Sequence, residues 1–412
     1  MPEQEALQQR KDRWGLRRLF GAAFLADFQL YLVYTAMPFK ALQLGAGPFT
    51  LGAMAALSTG SYAVLVGLCG RWSDRLPRLQ LARLSSLGII LGCIGMTVAP
   101  DLRWMLLVAP CIGGSMSPFW PSVQAHLADR TAAAQLERQL GRFNLSWTLG
   151  KASGFLVGGT VVAAFGSAVT FTLASCIAFV IFFLLPVEPR PSLLRGSVPA
   201  ESGATEAVPA PATAGTKAAQ LEVDPRASLF RPLAWVANGT AFGVGATLNH
   251  HYPRLIREFG WSPHVFGLFL GLVYMTQALV FIALTLRPER WRYRRAPLFA
   301  PQILMLFAMV SLPLASLPRV LASALVFGVA LGSCYTASLY YSLHAPAARG
   351  RYAGVHEGLI GLGSMAIPFL GGLLARLLHG LWVPYVVAGA AVALSLVVQE
   401  CLFRWAARRR PG

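Results

Sequence analysis

Long apolar stretches alternate with short polar segments along almost the whole chain. A membrane-spanning helix needs about 20 predominantly apolar residues, and twelve stretches of this chain come near that length. They cover residues 19–41, 49–70, 84–99, 105–128, 142–164, 167–187, 233–256, 264–286, 298–317, 320–343, 352–377 and 381–403. The stretch at 84–99 is short, and we expect it to extend into its flanks. The pattern predicts an all-α polytopic membrane protein with twelve transmembrane helices.

Residues 188–229 interrupt this pattern. They hold six prolines among many Ala, Ser, Thr and Glu residues and show no apolar periodicity, which is typical of a flexible linker. The chain therefore divides into a six-helix bundle at 1–187, a cytoplasmic linker at 188–229 and a second six-helix bundle at 230–412.

The two predicted bundles share weak internal repeats. Leu149-Gly150 with a Gly pair nine residues later recurs at Leu362-Gly363 with the same spacing, an offset of 213 residues. Other matches, such as Gly114-Ser115 with Gly332-Ser333, follow in order at nearly the same offset. Ordered matches of this kind indicate a duplication, so we expect two pseudo-symmetric bundles.

The distribution of charge predicts the topology. The chain has 35 Lys and Arg against 17 Asp and Glu, a formal net charge of +18. With the N-terminus in the cytoplasm, 28 basic residues fall on the cytoplasmic side and 6 on the outer side. This positive-inside bias places both termini in the cytoplasm of a multi-pass protein in the cell inner (plasma) membrane. It also accounts for the basic charge without nucleic-acid binding, and a basic loop can attract anionic membrane lipids.

Two motifs stand out in the first bundle. The loop after the second apolar stretch contains Gly70, Asp74, Arg75 and Arg78, in the pattern Gly-x-x-x-Asp-Arg. The fifth stretch carries glycines at spacings that favour close helix packing. These glycines are Gly150, Gly154, Gly158 and Gly159.

On these motifs and the paired bundles, the chain resembles the major facilitator superfamily over essentially its whole length. The resemblance implies parallel six-helix halves with a substrate site between them near the midplane. It implies that Asp74 belongs to a latch on the cytoplasmic face. The glycines of the fifth stretch resemble the antiporter motif of the family, which has proline where this chain has Phe155. Drug exporters of the family usually carry an arginine in helix 4 where this chain has Ala109, and this difference does not favour their usual scheme of proton coupling.

Ionisable residues within the apolar stretches are the strongest candidates for function, because each costs about 3 kcal/mol to bury at mid-membrane. Asp27 and Lys151 lie at similar predicted depths in helices 1 and 5. We expect them to form a pair or to share a polar network, the alternative being a static structural pair. Glu357, next to His356 in helix 11, could form a proton relay, the alternative being an inner-face network with nearby arginines.

Uncharged candidates for the cavity are polar or aromatic. They are Gln29, Tyr31, Gln124, Asn144, Tyr274, Gln277 and Tyr335. Aromatic rings with a few amides and one or two charges suit an amphipathic organic solute, and they equally suit ordinary packing.

These observations favour a secondary transporter of a small, amphipathic organic solute that works by alternating access, with proton-coupled export as one option. A lipid or lysolipid flippase of the same fold is the alternative, and a membrane-embedded sensor or enzyme is less favoured because no catalytic constellation is present. The expected partners are the solute, protons and membrane lipids, and not nucleic acid. We expect a monomer without enzyme activity, cofactor or metal site.

Overall fold

The computed structural model describes residues 2–73, 77–131, 133–187, 226–314, 316–343 and 349–408. Almost all of the described chain is helical, and no strand occurs within these ranges. Most of the predicted linker, 188–225, lies outside the described residues. The remainder, 226–229, belongs to a helix, so the second bundle begins a few residues earlier than the sequence pattern predicts.

The described residues form twelve α-helices and a short 3-10 turn at Pro288–Arg290. The helices are α1 (Pro2–Gln43), α2 (Pro48–Ser73), α3 (Arg78–Thr97), α4 (Leu102–Met116), α5 (Phe119–Asp129), α6 (Ala133–Leu184), α7 (Arg226–Glu258), α8 (Pro263–Leu286), α9 (Ala296–Ser311), α10 (Leu317–Leu343), α11 (Arg349–Leu377) and α12 (Val383–Arg408).

Two differences from the predicted segments have clear local causes. The stretch 105–128 is broken into α4 and α5 around Ser117-Pro118, because proline has no backbone N–H to continue the helical hydrogen bonds. The stretches 142–164 and 167–187 appear within one element, α6, which turns sharply at Gly166. One predicted stretch therefore forms two helices, and two predicted stretches form one helical element. The twelve helices do not correspond one to one to membrane crossings, and twelve crossings remains a prediction.

Gly166 has φ 80° and ψ 173°, a combination that is essentially confined to glycine because a Cβ atom would clash with the backbone. We expect Gly166→Ala to lower the free energy of unfolding by about 1–3 kcal/mol through this backbone strain alone. Thermal melting of the purified protein would measure the loss. Gly141→Ala is the matched control on the same helix, since a Cβ atom there meets nothing within 4 Å. Equal melting temperatures for the two variants would contradict the prediction.

Eight helices of the described chain are long and apolar enough to cross a membrane. Of the remainder, α9 is apolar but short, α4 and α5 are the two pieces of one stretch, and α7 carries buried polar side chains such as Asn238 and His250. Many large apolar side chains point outward, including Val64, Leu91 and Phe165, which are about 70% exposed. An apolar exterior of this kind suits contact with lipid.

The two halves of the chain meet mainly along two helix pairs, α2 with α11 and α6 with α8, and α7 makes smaller contacts with α1 and α2. Close backbone contacts between the halves, such as Gly52 with Pro368 and Gly159 with Pro263, lie near the short connections 44–47, 259–262 and 378–382. We call this end of the molecule the turn side. There Arg257 donates a 2.8 Å hydrogen bond to the carbonyl oxygen of Leu42, and the guanidinium of Arg376 lies 5.4 Å from the ring centre of Phe49. The halves are therefore closed against each other on the turn side.

Candidate functional site

Lys151 is a buried residue of α6 whose ammonium is surrounded by aromatic rings. The Nζ atom is 4.5 Å from the ring centre of Tyr31, 4.8 Å from Tyr274, 5.1 Å from Trp147 and 5.9 Å from Phe242. We call these four rings the aromatic cage. Tyr31 and Trp147 belong to the first half, on α1 and α6, while Phe242 and Tyr274 belong to the second half, on α7 and α8. Both halves of the protein therefore build this site.

Small residues on α6 bring the cage together. A Cβ atom added at Gly154 would lie 2.6 Å from the carbonyl oxygen of Phe28, and one at Gly150 would overlap the carbonyl of Phe24. Glycine at these positions allows the α1 backbone to pack directly against α6. This contact sets Tyr31 beside Lys151, and the helical repeat places Trp147 one turn before it.

Lys151 is only 5% exposed, yet it forms no ion pair and no hydrogen bond to any described residue. Asp27 is also buried, at 3% exposure, and the two charges are near enough to interact electrostatically. The direct ion pair expected as one possibility is not formed, since no described Asp or Glu oxygen lies within 4.0 Å of the Lys151 ammonium. Asp27 and Lys151 are instead two buried groups that interact electrostatically without direct contact between their charged atoms.

More rings extend the cage. Phe155 stacks on Tyr274 with ring centres 5.4 Å apart, and it also lies 4.8 Å from Tyr31. Tyr335, on α10, contacts Trp147 at 5.7 Å and Phe242 at 5.8 Å. The predicted candidates Tyr31, Tyr274 and Tyr335 therefore lie in one continuous group of rings.

The second half contributes a polar group next to Tyr335. The ring of His356 lies 5.2 Å from that of Tyr335, and its Nδ1 atom is 2.7 Å from the hydroxyl of Ser338 and 3.4 Å from Asn238 Nδ2. Glu357 lies within electrostatic range of the Tyr335 and Tyr62 hydroxyls, and so does Asp27. The two intramembrane carboxyl groups therefore border the same group of tyrosines.

Four predicted uncharged residues have different surroundings. Asn144 accepts a 3.1 Å hydrogen bond from the indole N–H of Trp147, so it orients a cage ring. Gln277 is fully buried and neither of its side-chain polar atoms has a partner among the described residues. Gln29 is buried with its Oε1 atom similarly unpartnered, and Gln124 is exposed. Among the described residues, no hydrogen bond links the side chains of Gln29, Gln124 or Gln277 to the cage.

The motif residues fall into two groups. Gly70 lies near the end of α2, Asp74 and Arg75 lie outside the described residues, and Arg78 forms an ion pair with Asp129 at the end of α5. The four motif glycines of α6, at positions 150, 154, 158 and 159, all occupy close contacts. Gly158 faces Thr35 of α1, whereas a Cβ atom at Gly159 would lie 2.7 Å from the Cα of Gly267 on α8. Gly159 is therefore a contact between the halves.

Hydrogen bonds reinforce the same contact on the turn side. The hydroxyl of Thr160 lies 3.0 Å from Nδ1 of His264, next to the Gly159–Gly267 contact. Together with the bond from Arg257 to Leu42, it joins the halves by polar groups that can separate and be hydrated.

Sequence reasoning missed several residues of the site, above all Trp147 and Phe242. Trp147 precedes Lys151 by four positions and Asp27 precedes Tyr31 by four positions, so helical spacing places each pair on one face. This spacing in the sequence could have identified Trp147 as a neighbour of Lys151. The sequence contains no such signal for Phe242, because this residue reaches Lys151 only through the packing of α7 beside α1.

Comparisons with known proteins agree with this architecture. The family model of the Major Facilitator Superfamily matches residues 19–339. A bacterial homologue of the human lysosomal transporter Spinster, in its inward-facing and occupied conformation, is similar over 96% of each chain, with 15% identity and a TM-score of 0.68. No curated protein matches the chain significantly in sequence.

Two further solved structures have the same fold. The nucleoside transporter NupG is similar over 94% of this chain and 98% of its own, with 13% identity and a TM-score of 0.65. A variant of the peptide transporter POT in complex with sulfate is similar over 96% and 94%, with 13% identity and a TM-score of 0.69. At these identities the likeness establishes the fold alone.

The chain belongs to the major facilitator superfamily, because the family model covers most of its length. The protein is accordingly a multi-pass membrane transporter and not an enzyme.

Proposed function

We propose that this protein is a secondary transporter of a small, amphipathic organic solute, working by alternating access as a proton-coupled exporter. The observation that carries the proposal is the aromatic cage around Lys151. Rings from both halves surround a buried charge, and apolar pockets with a few polar groups are the usual form of small-molecule sites. A solute that binds here contacts both halves at once.

Alternating access requires contacts between the halves that form and break. The turn-side contacts suit this requirement, because they combine small residues with the hydrogen bonds from Arg257 to Leu42 and between Thr160 and His264. The positive-inside bias assigns the turn side to the exterior. On this assignment both termini are cytoplasmic, and the structure is closed toward the exterior of the inner (plasma) membrane.

Proton coupling needs an acid that responds to the bound solute. Asp27 is buried near Lys151, and Glu357 borders the same tyrosines. Either carboxyl can carry a proton through the cycle, and carboxyl groups within the membrane commonly form proton relays. We assign the main coupling role to Asp27 because it interacts electrostatically with the Lys151 ammonium inside the cage.

The remaining features fit this scheme. Residues 1–187 and 226–412 act as the two moving bundles, joined by the linker at 188–225. The loop of Gly70, Asp74, Arg75 and Arg78 acts as a latch on the cytoplasmic face. The protein works as a monomer in contact with membrane lipids.

Flux measurements in proteoliposomes test the proposal. The purified protein is reconstituted, and the efflux of a panel of radiolabelled aromatic cations, anions, neutral solutes and lysophospholipids is followed with the proton gradient in each direction. We expect one class of small solute to be driven by the gradient. Movement of the lysophospholipid alone would support a flippase instead. Solute flux that does not depend on the proton gradient would exclude proton coupling.

A further inference from the structure

We propose that the aromatic cage is the subsite for a cationic group of the transported solute, and that Lys151 is a tethered competitor that occupies it. The proposal rests on the proposed function only in taking the central site as the solute site. It specifies the chemical class of the solute as an organic cation, such as an alkyl- or arylammonium. It also gives Lys151 a role other than anchoring an anion.

The geometry of the cage is the first argument. Four ring centres lie between 4.5 and 5.9 Å from one ammonium nitrogen. A cation over a ring face within about 6 Å is attracted by the ring quadrupole, and aromatic cages of this kind bind quaternary ammonium groups. The site that Lys151 occupies is therefore built for a cation.

The way in which Lys151 is held is the second argument. Its ammonium has no hydrogen bond or ion pair to any described residue, so the rings and the field of Asp27 are what hold it. The side chain is a flexible stem with four carbons, which can withdraw the charge from the cage without moving the backbone. A ligand with a similar charge can therefore replace it.

The balance of charge around the cage is the third argument. Two carboxyl groups, Asp27 and Glu357, border the same group of rings as the single ammonium of Lys151. The buried Arg231 is engaged elsewhere, since it donates to the Tyr341 carbonyl and lies over the ring of Tyr352. When a cationic solute replaces Lys151, the carboxyl groups remain to attract it. An anion at the same place would face the negative faces of the rings.

A binding experiment with matched ligands tests this inference. Phenyltrimethylammonium is titrated into the purified full-length protein by calorimetry, alongside its uncharged isostere tert-butylbenzene and the anion 4-tert-butylbenzoate. A binding site that is filled by its own side chain loses apparent affinity in proportion to its occupancy. We therefore expect Lys151→Met to bind phenyltrimethylammonium about 10-fold more tightly than the wild type.

Three further variants make the result specific. Lys151→Arg keeps a cation in the cage and should show no gain. Lys40→Met removes a lysine at the end of α1, away from the cage, and should bind like the wild type. Adding Tyr274→Leu to Lys151→Met should abolish the gain, because a ring of the cage is lost. Melting temperatures of all four variants verify that each is folded.

Weaker or unchanged binding of the cation in Lys151→Met would overturn the inference, and so would binding of the benzoate that depends on Lys151. Failure of the proposed function is distinguishable, because it shows as absence of solute flux in proteoliposomes whatever the binding result. Tight, cage-dependent binding without flux would support the subsite and contradict the transport cycle.

Discussion

Gly159→Leu is expected to reduce transport about 100-fold while leaving the protein folded. At this position α6 and α8 are almost in backbone contact, with a built Cβ atom 2.7 Å from both the Gly267 Cα and the Pro263 carbonyl oxygen. A leucine side chain cannot fit unless the helices separate. Since α6 and α8 belong to different halves, the separation opens the turn side and leaves the interior of each half intact.

Spin labels can measure this opening directly. Cysteines are introduced at Gly47 and Leu378, on the turn-side connections of the two halves, in a background that lacks the six native cysteines. We expect a longer distance between the labels in Gly159→Leu than in the unsubstituted background, together with loss of flux. Gly141→Leu is the matched control, because a Cβ atom there meets nothing within 4 Å. Full transport by Gly159→Leu would show that this contact does not need to close.

The membrane helices could largely be predicted from the sequence, because hydropathy follows directly from the need to bury apolar side chains in lipid. Interruptions in the helices were less predictable. Gly166 and the Ser117-Pro118 break each shift an element boundary, yet glycine and proline occur in many membrane helices without breaking them. Whether such a residue turns the chain depends on the neighbouring helices, and a hydropathy pattern does not contain that information.

The candidate site was predictable in its charges and only partly in its contacts. Asp27 and Lys151 stand out because ionisable residues are costly in a membrane. Their actual relationship depends on distances between helices. The sequence allowed a direct ion pair, whereas the structure places the ammonium among rings from four helices. Phe242 could not be identified in advance, since a phenylalanine in an apolar stretch resembles any lipid-facing residue until the halves are assembled.

In the proposed transport cycle, the cage couples solute binding to closure of the halves. Tyr31 and Trp147 move with Lys151 in the first half, while Phe242 and Tyr274 move with the second half. Opening the turn side separates the two pairs of rings, so a bound cation keeps only part of its contacts in the open state. Binding free energy that depends on the state in this way is what a ligand needs in order to shift a conformational equilibrium.

Asp27→Asn is expected to remove the dependence of transport on the proton gradient and to lower the driven flux about 10-fold. Asparagine keeps nearly the same shape as aspartate but cannot gain or lose a proton, so the cycle loses its proton-carrying group. The variant should remain folded, because asparagine fills the same space as aspartate and the Lys151 ammonium keeps the four rings of the cage around it.

The measurement is solute flux in proteoliposomes at a series of pH values, with and without a gradient, together with exchange of solute at equal concentrations on both sides. Exchange requires binding and movement of the halves but no net proton transfer, so we expect it to survive in Asp27→Asn. Asp101→Asn is the matched control, since Asp101 caps α4 by accepting a 2.8 Å bond from the Trp104 N–H and asparagine caps helices equally well. If Asp27→Asn transports with an unchanged response to the gradient, the coupling acid is a different group, and Glu357→Gln becomes the variant in which the response should disappear.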